Sequence, residues 1–194
     1  MARHLTPIRC FAAVRVEDEP RQAIAAWQDE LRASGLEARW VAPTHLHLTL
    51  KFFGDLPRAA AEALGRALGE AMDRQRPFHI ELRGAGAFPD LQRPRVLWVG
   101  VGQGAPALAA LAGVVEEVAR SLGVPFDARP FTPHLTVARL REGPAPAALP
   151  AAFTEAARRS WGEQVVRDVR LIHSTLTPEG PVYRDLGRFK LEAR

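Results

Sequence analysis

The chain has 194 residues, of which 47% are hydrophobic and 25% charged; its formal net charge is +4 and its pI is about 10.1. That length suits one globular domain or two small lobes sharing a core, and the composition excludes extended disorder. A single cysteine, Cys10, excludes a disulfide framework and a thiolate metal cluster, while the modest positive excess fits a phosphate-bearing partner as readily as an ordinary soluble protein.

The first segment, MARHLTPIRCFAAVRVEDE, has an apolar stretch broken by Arg15 and Glu17. It is too short for a signal peptide or a membrane span, so a cytoplasmic protein with no membrane partner is expected. Ile8 to Val14 reads as a strand. Glu17-Asp18-Glu19-Pro20 opens a helix with acidic residues and proline in its first turn, and Ser34-Gly35 closes it. HLHLTLKFFG reads as one strand, and Pro57 opens an Ala-rich helix. Phe78 to Phe88 and Arg95 to Val101 read as strands. Gly102-Gln103-Gly104 opens the next helix and Leu122-Gly123 ends it. FTPHLTVARL reads as a strand, Gly143-Pro144-Ala145-Pro146 as a surface turn leading into a helix, and Val165 to Thr175 and Val182 to Leu191 as strands. The stretches GAGAF and GVGQG lack the spacing and the lysine of phosphate-cradling fingerprints and read as turns.

These elements repeat. Sliding the chain by 87 residues (134 minus 47) lays Ile8 to Val14 over Arg95 to Val101 and Ala23 to Ser34 over Ala110 to Ser121. The same shift lays His47-Leu48-Thr49-Leu50 over His134-Leu135-Thr136-Val137, Pro57 over Pro144, and Phe78 to Phe88 over Val165 to Thr175. The pattern predicts an α+β fold. Two pseudo-twofold-related lobes of antiparallel sheet, with outer helices, flank a central cleft. Residues 1–194 form a single bilobal domain whose repeats run approximately over 8–88 and 95–175.

Alternate side chains of a strand share a face. That sets Leu46, Leu48, Leu50 and Phe52 toward the core and His45, His47 and Thr49 away from it. In the second copy Leu135 and Val137 face the core, and Thr132, His134 and Thr136 face away. Two imidazoles flanking a phosphate match in-line displacement, one accepting a proton from water and the other donating to the leaving oxygen. Threonine hydroxyls two residues on can bond the non-bridging oxygens. His-x-Thr also occurs at His4 and His173, but only His47 and His134 coincide under the repeat; His4 reads as frayed terminus, and the counterpart of His173 is Gly86.

The segments HLHLTLKFFG, LWVGV, PHLTVAR and STLTPEGPVY, in this order and spacing, resemble the bacterial and archaeal 2H phosphoesterases, and within them the RNA 2′,3′-cyclic phosphodiesterases, also called 2′-5′ RNA ligases. The resemblance implies hydrolysis of a terminal 2′,3′-cyclic phosphate to a 2′-phosphate, with 2′-5′ ligation as a side activity. It implies His47 as proton donor, His134 as proton acceptor, Thr49 and Thr136 as phosphate-oxygen ligands, and Arg139 as an arginine approaching the phosphate. Strand parity turns Arg139 away from His134 unless the strand ends or bulges near Ala138.

Phe131, just before the second motif, is the aromatic expected to line the cleft and hold an unpaired base; Trp40, Trp98 and Phe53 are weighed with it, against a place in the core. His45 is expected behind the site or at the cleft entrance, against an alternative in which His45 and His47 form half of a metal site. His79 is expected to be an exposed strand residue. No metal and no cofactor are expected. The partner is an RNA or oligonucleotide ending in a 2′,3′-cyclic phosphate, and the protein is expected to act as a monomer. Two alternatives stand beside this: a cyclic phosphodiesterase of small nucleotides, for which a basic track beyond the cleft would be unnecessary, and a non-catalytic RNA-end binding module.

Overall fold

Strand β1 (Ile8–Arg15) alternates two buried sets, Cys10, Ala12 and Val14 on one side and Phe11 and Ala13 on the other, as a central strand must. In this computed structural model, which describes residues 7–126, 128–141, 148–178 and 180–193, the first set joins the main core and the second lies on the opposite face. His4 and the Gly143–Pro146 segment lie outside the described residues.

Helix α1 (Asp18–Ala33) follows as its punctuation predicts. Asp18 and Glu19 sit in its positive first turn and Arg32 in its negative last turn, and Gly35 takes the left-handed φ of 82° that ends it. Ile24, Trp27, Gln28 and Leu31 form its buried stripe. Two short elements, β2 (Ala38–Trp40) and a 3-10 turn (Pro43–His45), lead into β3 (His47–Leu56); α2 (Arg58–Met72) and β4 (Phe78–Phe88) complete the first copy. The second copy comprises β5 (Val96–Val101), α3 (Ala105–Ser121), β6 (His134–Leu140), a short α4 (Ala151–Thr154) running into a 3-10 turn (Glu155–Arg158), β7 (Ser160–Val166) and β8 (Asp168–Thr177), after which β9 (Gly180–Lys190) closes the chain.

All nine described strands form one sheet in the order β7-β4-β5-β6-β3-β1-β8-β9, with β2 beside β6. The order is symmetric about the β6–β3 seam, where Leu48 opposite Leu135 is the one bridging pair. The last strand of each copy sits in the other copy's half: β4 pairs with β5, and β8 with β1. The halves are therefore β9-β8-β1-β3 and β7-β4-β5-β6, and neither is built from one continuous repeat.

Cross-strand register corrects the uniform offset. Arg15 stands opposite His47 and Gly100 opposite His134, so these first-strand positions are 85 apart (100 minus 15). A two-residue slip preserves which face each side chain takes, which is why alternation alone does not reveal it. The run Val165 to Thr175 is also not one strand: it breaks at Arg167, ending β7 and starting β8.

Helix packing buries the side of the sheet bearing Cys10, Leu48 and Leu135 in one continuous core. Trp27, fully buried, stacks with Phe153, lies 4.6 Å from Trp161 and donates from Nε1 to the Ala152 carbonyl, fastening α1 to α4. Truncating such a side chain costs about 3–5 kcal/mol. The other side carries only a small cluster, Phe11, Ala13 and Ile172 with Tyr183 against it, and is otherwise open.

Candidate active site

That open side receives both histidines. His47 begins β3 and His134 begins β6, the two strands that meet at the seam, and both are half-buried. Each is fixed in the same way. The Nδ1 of His47 lies 2.6 Å from the carbonyl oxygen of His45, and the Nδ1 of His134 lies 2.7 Å from that of Thr132. A carbonyl only accepts, so Nδ1 carries the hydrogen in both rings and Nε2 is left for the cleft. The positions two residues upstream, 45 and 132, are themselves equivalent under the repeat.

Aromatic rings seat both imidazoles. Phe11 lies 4.9 Å from His47, and Tyr183 meets it edge-on at 5.6 Å; Phe88 meets His134 edge-on at 4.9 Å and contacts Trp98. Trp98 lies over Gly86, where a Cβ would come within 2.3 Å of the indole, so only glycine admits this packing. Burial pushes His47 down to about 4, against the hydrogen bond to the His45 carbonyl, and the positive charges of Arg15, His45 and His134 push it further in the same direction.

Thr49 and Thr136 follow on the same face as their histidines, opposite Ala13 and Trp98 respectively. Beyond them both strands bulge. Thr49 and Lys51 oppose consecutive residues of β1, leaving Leu50 extra, and Thr136 and Ala138 oppose consecutive residues of β5, leaving Val137 extra. Each bulge reverses parity. Phe52, expected in the core, is therefore 60% exposed and lies 5.4 Å from Phe11 on the cleft side. Arg139, at the equivalent place, is exposed on the face of His134, and its charge acts on Tyr183. Tyr183 is pushed up by burial, against the positive charges of Arg139 and Arg9.

Other expectations change. His45 belongs to the 3-10 turn, not to the strand; its carbonyl holds His47 while its ring lies 4.8 Å from Tyr183. Phe131 packs half-buried against the main core and, among the described residues, makes no ring contact with either histidine. Phe53 is buried in that core, and Trp40 packs on it beneath Arg32. His173 stands opposite Cys10, on the helix side, away from the cleft. His79 is exposed. Among the described residues no group of three or more His, Cys, Asp or Glu is arranged to hold a metal ion, and no helix is long and apolar enough to cross a membrane. Sequence reasoning missed Phe11, Phe88 and Tyr183; Tyr183 is the lone tyrosine, within the quoted STLTPEGPVY.

One sheet folded from two copies, with a matched His-x-Thr pair at its seam, defines a two-histidine phosphoesterase architecture. The chain belongs to the LigT-like phosphoesterase family, whose model matches it twice, over residues 14–98 and 99–183. It is 38% identical over 185 residues to the RNA 2′,3′-cyclic phosphodiesterase of Archaeoglobus fulgidus, covering 94% of this chain and 100% of that one. It is 37% identical over 158 residues to that of Aquifex aeolicus, covering 79% and 81%. Among solved structures it is similar to TT0787 of Thermus thermophilus, with a TM-score of 0.82 at 32% identity over 95% of this chain and 98% of the other. It is also similar to apo E. coli LigT, with a TM-score of 0.78 at 28% identity over 96% and 98%.

Proposed function

We propose that this enzyme hydrolyses a terminal 2′,3′-cyclic phosphate of RNA to a 2′-phosphate, residues 1–194 acting as one bilobal catalytic unit. The observation that carries this is the matched pinning of Nδ1 in His47 and His134, at the start of the two strands that meet at the seam, which leaves Nε2 of each ring clear of the backbone bond. His134 takes a proton from water as the water oxygen attacks phosphorus; the bond from phosphorus to O3′ breaks in line, and its electron pair is protonated by His47. Thr49, Thr136 and Arg139 hydrogen-bond the non-bridging oxygens as charge builds on them. With a 5′-hydroxyl in place of water, the same step gives 2′-5′ ligation as a side activity: His134 takes the hydroxyl proton as O5′ attacks phosphorus, and O3′ leaves protonated by His47.

The donor role needs a source for its proton, because burial favours the neutral form of His47 near pH 7. The negative charge of the bound phosphate supplies the bias, favouring the imidazolium between the two motifs. Names carried by relatives at 26–38% identity support the substrate class. The test is turnover of an oligoribonucleotide ending in a 2′,3′-cyclic phosphate, with the product followed by phosphorus NMR in the presence of EDTA. A 2′-phosphate product is expected; a 3′-phosphate product, or no turnover, overturns the reading.

A further inference from the structure

An RNA end held at the seam must leave the cleft along some surface. One direction from His47 is marked by a row of arginines running across the strands. Arg15 of β1 stands directly opposite His47. Arg170 of β8 stands opposite Ala13, two residues before Arg15 and on the same face, and Arg188 of β9 stands opposite Arg170. With about 4.8 Å between neighbouring strands, the row spans about 14 Å from His47 to Arg188. It borders a pocket of ≈ 190 Å³ whose lining includes Arg15, Arg167, Arg170 and Arg188 against Glu17 and Asp168.

The row is braced by carboxylates. Asp185 accepts from Arg15 at 2.7 Å and from Arg170 at 2.8 Å, and Asp168 accepts from Arg170 at 2.7 Å and from Arg188 at 2.8 Å. A network whose sole purpose is to lock β8 to β9 needs neither Arg15, which is on β1, nor Arg167, which is exposed at the pocket rim. A guanidinium has five N–H donors. Arg15 spends one on Asp185 and Arg170 two on the carboxylates, so donors remain on both. The side chains of Arg15 and Arg188 are 43% and 54% exposed. Asp185 on one Nη of Arg15 and Asp168 on the Nε and Nη2 of Arg188 hold these two forks in place, so less conformational freedom is lost when their remaining N–H groups meet a ligand.

We propose that Arg15, Arg170 and Arg188, with Arg167 at the rim, form a phosphate track that binds the internucleotide phosphates of the RNA strand leading into the cleft. The proposal rests on the reading of the cleft given above and adds its preference for RNA over a lone nucleotide. The track contacts phosphates, not base edges, so it is indifferent to base sequence.

The experiment compares two substrates on the double variant Arg167→Ala/Arg188→Ala: a short oligoribonucleotide ending in a 2′,3′-cyclic phosphate, and a 2′,3′-cyclic mononucleotide. The expected result is a KM about tenfold higher for the oligonucleotide, with kcat/KM for the mononucleotide within about twofold of wild type. Losing two single-strand phosphate contacts also flattens the slope of log binding against log salt by about 1.4. Arg167→Glu alone, at an exposed site, should act in the same direction, so misfolding of the double variant would not leave the matter open. Equal loss for both substrates, or no loss for either, overturns the track while leaving the cleft reading intact. Failure of the wild type to turn over either substrate overturns both.

Discussion

The side-chain amide of Gln28 donates to the carbonyl of Val137 at 2.9 Å, across a sequence separation of 109. Gln28 is fully buried in α1, its Nε2 also donates to the carbonyl of Val41, and Val41 in turn donates from its backbone N–H to Val137 at 3.0 Å. Val137 is the residue bulged out of β6, and its bulge is what brings Arg139 onto the face of His134. The glutamine thus clamps the irregularity that aims the arginine. Gln28→Leu is expected to fold, with stability changed by about 1 kcal/mol, since the carbonyls of Val41 and Val137 each lose a donor, Val137 keeping the Val41 N–H, while the buried Oε1, which has no partner among the described residues, is removed. Turnover of a 2′,3′-cyclic nucleotide should drop about tenfold, and the drop should vanish in an Arg139→Ala background. Additive losses would reduce Gln28 to a packing role.

His47→Ala and His134→Ala are each expected to lower kcat by a factor of about 10² to 10⁴, the usual worth of a positioned acid or base. Neither ring belongs to the main core, so thermal midpoints should stay within a few degrees of wild type. Kinetics and thermal melts on the same preparations check both halves. A fully active variant at either position would break the proposed pairing.

Much of this arrangement is legible before any coordinates. The two His-x-Thr units, the apolar faces around Leu48 and Leu135, and both ends of α1 follow from period and punctuation, because each is decided by residues within a turn or a strand of one another. The bulges at Leu50 and Val137 are not legible. They depend on which residues of β1 and β5 lie opposite, and alternation run through them put Phe52 in the core. The exchange of β4 and β8 between halves is equally invisible locally, since strand order is set by non-local pairing. Phe11, Phe88 and Tyr183 were missed for a related reason: each lies on a strand whose two faces are both partly apolar, so no pattern announces which side is the cleft.

Gly86→Ala tests the seat of the second histidine. The added Cβ would fall 2.3 Å from the indole of Trp98, a rigid ring that also contacts Phe88 beside His134. Relieving that clash moves the ring or the strand, at a cost of about 1–3 kcal/mol for overpacking. Lower stability in urea melts and a higher KM are expected together. Unchanged melts would mean that Trp98 has room to move.

The last expectation concerns protons. His47 has an ordinary value of 6.5 when unfolded and about 4 in the folded protein, chiefly because burial disfavours its charge. Between those values the unfolded chain holds more protons than the folded one, so stability falls as pH drops from about 6.5 to about 4. The loss attributable to this ring is about 3 kcal/mol, from 1.36 kcal/mol per unit. His47→Asn should flatten that part of the stability–pH curve in urea melts run from pH 4 to 7. An anion between the two motifs opposes the effect of burial and raises the ring's affinity for a proton. Sulfate, which does not titrate in this range, should therefore bind with uptake of up to one proton near pH 5.5, and the His47→Asn variant should lose that uptake. Calorimetric titrations in two buffers of different ionisation enthalpy measure it directly. Sulfate binding by the wild type without proton uptake would leave His47 uncharged beside the anion, and a neutral ring pinned through Nδ1 has no proton on Nε2 to give to O3′.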